Sequence, residues 1–265
     1  MLVGGQINSR MFMKKILLFI LCFLFTNVYS HTHFLYKNIY TLPLIHKIPK
    51  IIHHIWVGKK EISEEYKHYM DTWRIIHPDW EHKLWTDEDI EDFPWQNKAL
   101  FLKSTNPGMK SDIWRYEILY NYGGLYVDTD MECIRSFDPI HERLEFYAGF
   151  DSKKKYIVAN CLIAAAPKST ILKKMITFLS KNTNSIDIPS LTFDDIQTIT
   201  GPGLLTKGAK NLKPLSLENP ILIFSNEYFQ PVSCANHGIP KTAEEQYNVV
   251  TCCFAIHHNG GSWLK

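Results

Sequence analysis

The chain has 265 residues, 45% of them hydrophobic and 13% aromatic. That supports one core-bearing domain and excludes a chain that is disordered as a whole. Charged residues make up 21%, the formal net charge is +2 and no basic run is long. A tail-driven nucleic-acid binder is therefore excluded, and no repeat or low-complexity tract suggests a solenoid or a linker.

The first element in chain order is "MKKILLFILCFLFTNVYS", starting at Met13. Lys14 and Lys15 precede an unbroken apolar run over 16–25, and Val28 and Ser30 stand at the spacing of a cleavage site. Residues 1–30 are read as a signal peptide with His31 as the mature N-terminus; the alternative is a short membrane anchor. Either points to the secretory pathway. A lead-in segment covers 31–47, and 48–265 reads as one domain without an internal linker. Beyond Cys22, five cysteines remain (Cys133, Cys161, Cys234, Cys252, Cys253). With no CxxC among them, a zinc ribbon is not expected, and their pairing is open.

"IPKIIHHIWVG" (48–58) reads as a buried strand closed by Gly58. A helix follows over 63–76, capped by Ser63, with Tyr66, Met70, Trp73 and Ile76 at helical spacing and His77-Pro78 ending it. "EHKLW" is a short strand, and "TDEDI" opens a helix with Thr86 as its cap. Residues 109–122 have the helical period, Gly123-Gly124 breaks it, and "LYV" is a strand ending in "DTD". "MECI", "FYAGF", "YIVANCLIAAA", "ILIFS" and "VVTCCFAIHH" read as further strands, with helices over 168–181 and on both sides of Gly201-Pro202-Gly203. Strands alternating with helices make this an α/β sheet with crossover connections.

Asp128 and Asp130 end an apolar strand, where two carboxylates are costly unless something positive meets them. At the carboxyl edge of a parallel sheet that partner is a ligand or a cation, and hard oxygen donors suit Mg²⁺ or Mn²⁺ with phosphates attached. A solvated Asp turn is the plain alternative. Asp112 and Arg115 share one helix face directly ahead of this strand, either as a surface ion pair or as a grip on a phosphate or sugar. At the C-terminus, "AIHHNGGSWLK" puts His257 and His258 after a strand, followed by two glycines, Ser262 and Trp263. A histidine there could complete an oxygen-rich cation site or lie in a mobile tail. Trp56, at the end of the first strand, is either core or a stacking platform.

In order, "IPKIIHHIWVG", "SDIWRYEILYNYGGLYVDTD", "TGPGLLT" and "HHNGGSW" resemble glycosyltransferase family 32, the DXD sugar-binding-region family of the yeast Golgi initiating mannosyltransferases. The catalytic domains of the large clostridial glucosylating toxins share that core. The resemblance covers 48–265. It implies a GT-A-like fold, a mostly parallel Rossmann-type sheet flanked by helices in a single domain. It also implies a nucleotide-sugar donor, a divalent metal (Mn²⁺ or Mg²⁺), retention at the anomeric carbon and a glycan, lipid or protein acceptor. By that resemblance Trp56 stacks on the donor base, Asp112 and Arg115 grip the donor sugar, and Tyr126 lies near the nucleoside. Asp128 touches ribose and sugar, Asp130 binds the metal, Asn160 lies near the sugar, Trp263 meets the β-phosphate, and Ser262 counts among the donor-binding residues. The toxins carry an acid where this chain has His258, so either His257 or His258 could close the metal site. A metal-dependent phosphoester hydrolase and a non-catalytic carbohydrate- or nucleotide-binding module are the rival readings.

Overall fold

The structure is a computed structural model describing residues 39–152, 154, 156–210, 212, 220–230 and 252–261. The chain divides into two units, 1–42 and 43–265. In the first, the described residues form a turn in which the Leu42 amide donates to the Ile39 carbonyl at 2.9 Å. The expected signal peptide or anchor, Cys22, Cys234, Ser262 and Trp263 lie outside the described residues. Among those described, no helix is long and apolar enough to cross a membrane.

The second unit is an α/β sheet. Its strands are β1 (Ile51–Ile55), β2 (Glu81–Trp85), β3 (Gly124–Val127), β5 (Phe146–Phe150), β6 (Val158–Ala165) and β7 (Ile221–Phe224), in the order β2-β1-β3-β6-β5-β7. The β1–β2, β1–β3 and β5–β7 pairs are parallel, whereas β6 runs antiparallel to both β3 and β5. The sheet is thus mostly parallel, as the resemblance implies, with β6 as the reversal. A second sheet pairs β4 (Met131–Cys133) with β8 (Ala255–His257), antiparallel, with Met131 opposite His257.

The helices are α1 (Glu64–Ile76), α2 (Lys98–Lys103), α3 (Pro107–Tyr122), α4 (Asp138–His141), α5 (Thr170–Asn182), α6 (Phe193–Ile199) and α7 (Pro202–Gly208). Ser63 caps α1 as expected, its hydroxyl accepting from the Tyr66 amide at 3.3 Å. The helix expected at Thr86 is a single 3-10 turn over Asp87–Asp89, closed by a capping box between Thr86 and Asp89. Its three consecutive acids offer no apolar face to bury, so nothing extends it.

Helix α3 starts at Pro107, with the Asn106 side chain accepting from the Met109 amide at 3.0 Å. It is buried on nearly every side, and Asp112, Arg115 and Glu117 are buried with Ile113, Trp114, Ile118 and Leu119. Charges that deep persist only when paired. Glu117 accepts from the Asn97 amide group at 2.8 Å and the Gln96 backbone amide at 3.1 Å. The other two build the site.

At the end of α3 the chain reverses through Gly123 (φ 68°) and Gly124 (φ 98°), left-handed values that favour glycine. A Cβ on Gly124 would come within 2.6 Å of the Ile51 carbonyl and 2.8 Å of the His53 ring. This close approach lets β3 lie directly against β1.

Candidate active site

β1 has β2 on one side and β3 on the other, both parallel to it. The strand order reverses there, and ligands in open α/β sheets bind in the crevice outside the carboxyl ends at such a point. Trp56 follows β1 and Asp128 follows β3, so both stand at that edge. Because β6 is antiparallel to β3, its amino-terminal half reaches the same edge: the Asp128 amide donates to the Cys161 carbonyl at 2.8 Å. A cleft of about 910 Å³ opens here, lined by Trp56, Arg115, Asp128, Asp130, Asn160 and His257 among others.

Arg115 joins α3 to the strand end. Its Nη1 lies 3.1 Å from Asp128 Oδ1 and donates to the Asn160 carbonyl at 2.7 Å. Its Nη2 lies 3.2 Å from Asp112 Oδ1 and donates to Ser111 Oγ at 3.1 Å. The guanidinium also covers the Tyr126 ring, 4.4 Å from its centroid. The Tyr126 hydroxyl donates to Asp128 Oδ1 at 2.6 Å. Asp112 is held from behind, accepting from Asn160 Nδ2 at 2.7 Å and Thr200 Oγ1 at 3.0 Å. The Tyr116 hydroxyl donates to the Thr200 carbonyl at 2.7 Å and closes this network. Burial pushes the Asp112 carboxyl up to about 6, partly countered by Arg115. Burial likewise raises Asp128 above the ordinary aspartate value, against the pull of Arg115.

Asp130 faces the C-terminal segment. Its Oδ2 accepts from the Gly260 amide at 2.8 Å, and its Oδ1 lies 3.2 Å from His257 Nε2. Burial would raise Asp130, but His257 and the Gly260 amide hold it below the usual carboxylate range. Burial would lower His257, but Asp130 holds that imidazole well above the ordinary histidine range. Ligand atoms of Asp128, Asp130 and His257 all lie within 4.8 Å of one another. Two carboxylate oxygens and one imidazole nitrogen form a donor set that fits Mg²⁺ or Mn²⁺. Counting Asp112, Asp128 and Asp130 against Arg115 leaves two negative charges when His257 is neutral, matching one divalent cation.

His258 points elsewhere. Strand residues alternate, so the neighbour of a cleft-facing His257 turns to the opposite side. His258 stacks on Tyr69 of α1 with ring centroids 4.1 Å apart, and its Nε2 lies 2.9 Å from Glu132 Oε2. Trp56 stands at the cleft with its ring edge-on to Tyr66 at 5.9 Å and its indole N–H donating to the Lys60 carbonyl. Thus Asp112, Arg115, Tyr126, Asp128 and Asn160 form one contact network, with Asp130 and His257 beside it. Sequence reasoning did not single out Ser111, Tyr116, Thr200 or the Gly260 amide. For Thr200 the only signal was its place just before the Gly-Pro-Gly break.

Residues 63–147 match the family profile described as "Glycosyltransferase sugar-binding region containing DXD motif". The chain is 35% identical to inositol phosphoceramide mannosyltransferase 1 of Schizosaccharomyces pombe over 142 residues, covering 51% of this chain and 44% of the relative. It is 31% identical to inositol phosphoceramide mannosyltransferase 3 of the same yeast over 220 residues, covering 82% of this chain and 56% of the relative. The chain therefore spans about half the length of these curated relatives. Among solved structures, the PaToxG glycosyltransferase is similar at a TM-score of 0.48 and 18% identity, covering 69% of this chain and 76% of that one.

Proposed function

We propose, from the match of residues 63–147 to the DXD-containing glycosyltransferase sugar-binding region, that the chain is a metal-dependent, retaining hexosyltransferase. It moves a sugar from a UDP- or GDP-sugar donor to a hydroxyl on a glycan, lipid or protein. The observation that carries this reading is the meeting of Asp128, Asp130 and His257 within 4.8 Å, at the crevice that also holds Arg115. The names of the yeast relatives make mannose the first sugar to test and an inositol-phosphate lipid head group the first acceptor.

Asp128, Asp130 and His257 would hold Mn²⁺ or Mg²⁺, which when bound neutralises charge growing on the departing nucleoside diphosphate. Arg115, already fixed by four partners, presents a guanidinium at the same place without having to reorganise. Trp56 offers its ring to the base, and Tyr126 orients Asp128. Asp112 is locked by Asn160 and Thr200 where it can receive the sugar hydroxyls and oppose positive charge developing at the anomeric carbon. The sequence marks no second carboxylate as a nucleophile, which supports attack on the same face by the acceptor hydroxyl, with the leaving phosphate taking its proton. Ser262 and Trp263 follow Gly261, a cleft residue; Trp263 is assigned to the β-phosphate by resemblance alone, and Ser262 to the donor side more generally. The N-terminal segment supports entry into the secretory pathway or anchoring there, which N-terminal sequencing of the purified protein would distinguish.

A panel of UDP- and GDP-sugars with Mn²⁺, with and without chelator and with and without inositol-phosphate lipid, tests this reading. The expected result is diphosphate release that requires metal and rises with acceptor. Donor binding that survives chelation and yields no product would favour a binding module instead.

A further inference from the structure

β8 ends at His257 and His258 follows it, yet only His257 enters the cation cluster. The β4–β8 ladder that delivers it has three residue pairs, too few to define a position alone, since even a full two-stranded hairpin is marginal in water. Something beyond the strand must fix the segment 257–261. Three contacts do so. The His258 amide donates to the Asp130 carbonyl at 3.0 Å. The His258 ring lies nearly parallel to Tyr69, at 4.1 Å and 9°, with its Nε2 2.9 Å from Glu132 Oε2. The Gly260 amide donates to Asp130 Oδ2 at 2.8 Å, at a position where a Cβ would collide with the Tyr66 hydroxyl.

We infer that His258 is a positioning residue, held between Tyr69 and Glu132 so that His257 and the Gly260 amide meet Asp130. This rests on the proposal that Asp128, Asp130 and His257 hold a divalent cation. The imidazole does two separate things. Its face packs on Tyr69, fixing how deep the segment lies on α1, and its edge meets Glu132, fixing rotation about the chain. A one-residue slip would exchange the roles of the two rings and present His258 to Asp130. Glu132 is the intervening residue of β4 between Met131 and Cys133, so it faces away from them. The strand that precedes His257 and the strand that follows Asp130 are thereby locked to one side chain.

Mn²⁺ binding to the full chain, followed by the electron paramagnetic resonance of the free ion, tests this apart from turnover. Wild type and four variants are compared: His257→Ala, His258→Ala, His258→Phe and Glu132→Gln. The expected result is loss of Mn²⁺ binding in His257→Ala and a Kd weakened by about 10–100-fold in His258→Ala, the range for residues that orient a metal ligand. His258→Phe keeps the stack and Glu132→Gln loses the charge, so each should fall between wild type and His258→Ala. A merely structural role would lower the melting temperature of metal-free protein and leave the Kd unchanged. Should His258→Ala fail to fold, Glu132→Gln decides, because Glu132 is partly solvent-exposed. Wild-type Kd values in His258→Ala, or in Glu132→Gln if that variant decides, would overturn the inference while leaving the transferase reading standing. A wild-type chain that binds no Mn²⁺ would overturn both.

Discussion

Arg115 spends its five N–H groups on Asp112, Asp128, Ser111 and the Asn160 carbonyl. Lysine carries the same charge on a single nitrogen and cannot span that set. Arg115→Lys is therefore expected to lower kcat/KM by about a hundredfold or more. It should also cost about 1–3 kcal/mol of stability through the acceptors left unmet, read from the urea midpoint. Asp130 sets a different test. Its amide counterpart is isosteric and can still accept from the Gly260 amide, but it has lost the charge a cation needs. Asp130→Asn should reduce metal-dependent diphosphate release by about a thousandfold with an unchanged far-ultraviolet circular dichroism spectrum. Sugar transfer at the wild-type rate by that variant with Mn²⁺ present would sink the metal assignment. These residues were legible because their contacts are local: Asp112 and Arg115 share a helix face, and Asp128 and Asp130 share a strand end. Thr200, which holds Asp112 from behind, and Tyr116, which holds Thr200, meet across 84 positions, and no local pattern announces such a pair.

At the scale of elements, one face of α1 carries much of the site's far wall. Tyr69 takes His258, the Thr72 hydroxyl accepts from the Cys133 amide at 2.8 Å, and the Trp73 indole donates to the Met131 carbonyl at 2.7 Å. The helical period is readable in Tyr66, Met70 and Trp73, but its use is not, because no local pattern pairs β4 with β8. The direction of β6 was likewise hidden: "YIVANCLIAAA" is an apolar run whichever way it lies. The choice between His257 and His258 depended on the register of that unseen pairing. A sharper consequence belongs to the glycine reversal between α3 and β3. Gly124→Ala would demand a left-handed φ of an L residue and push a methyl group into the Ile51 carbonyl. It should destabilise by about 2–4 kcal/mol, whereas an alanine at exposed Lys59, also lining the cleft, should leave the urea midpoint near wild type.

Over the whole molecule, the second unit keeps several histidines neutral in its core. His53 accepts from the Trp85 indole at 3.1 Å while its other nitrogen faces the Gly123 carbonyl at 2.9 Å. His77 accepts from the Phe137 amide at 2.9 Å, and His141 lies between the Tyr147 hydroxyl and the Pro49 carbonyl, both at 3.0 Å. In His53 and His77 one ring nitrogen must remain an acceptor, so a second proton there would set donor against donor. Burial lowers all three to about 4, partly offset by their backbone carbonyl partners. Between about 4 and the unfolded value near 6.5 the unfolded chain therefore binds more protons, and stability rises with pH through that window. At roughly 1.4 kcal/mol per unit for each group, acidification from pH 7 to 4.5 should lower the urea midpoint steeply, with little further loss from these groups below pH 4. A flat stability profile across that range would contradict the neutral-histidine core.

The amide of Gly260 reaches Asp130 from 130 positions away in the sequence. Such a contact closes only after the segment between has been made and the central sheet is in place, and long-range closures of this kind come late in folding. A nascent chain that has completed β7 already contains the helix, the glycine turn and both aspartates, yet it lacks the imidazole and the amide that complete the cluster. The capacity to hold a cation would thus switch on only once the segment 255–261 has been made. Ribosome-bound chains of increasing length should acquire it in one step, once residues 255–261 have cleared the exit tunnel.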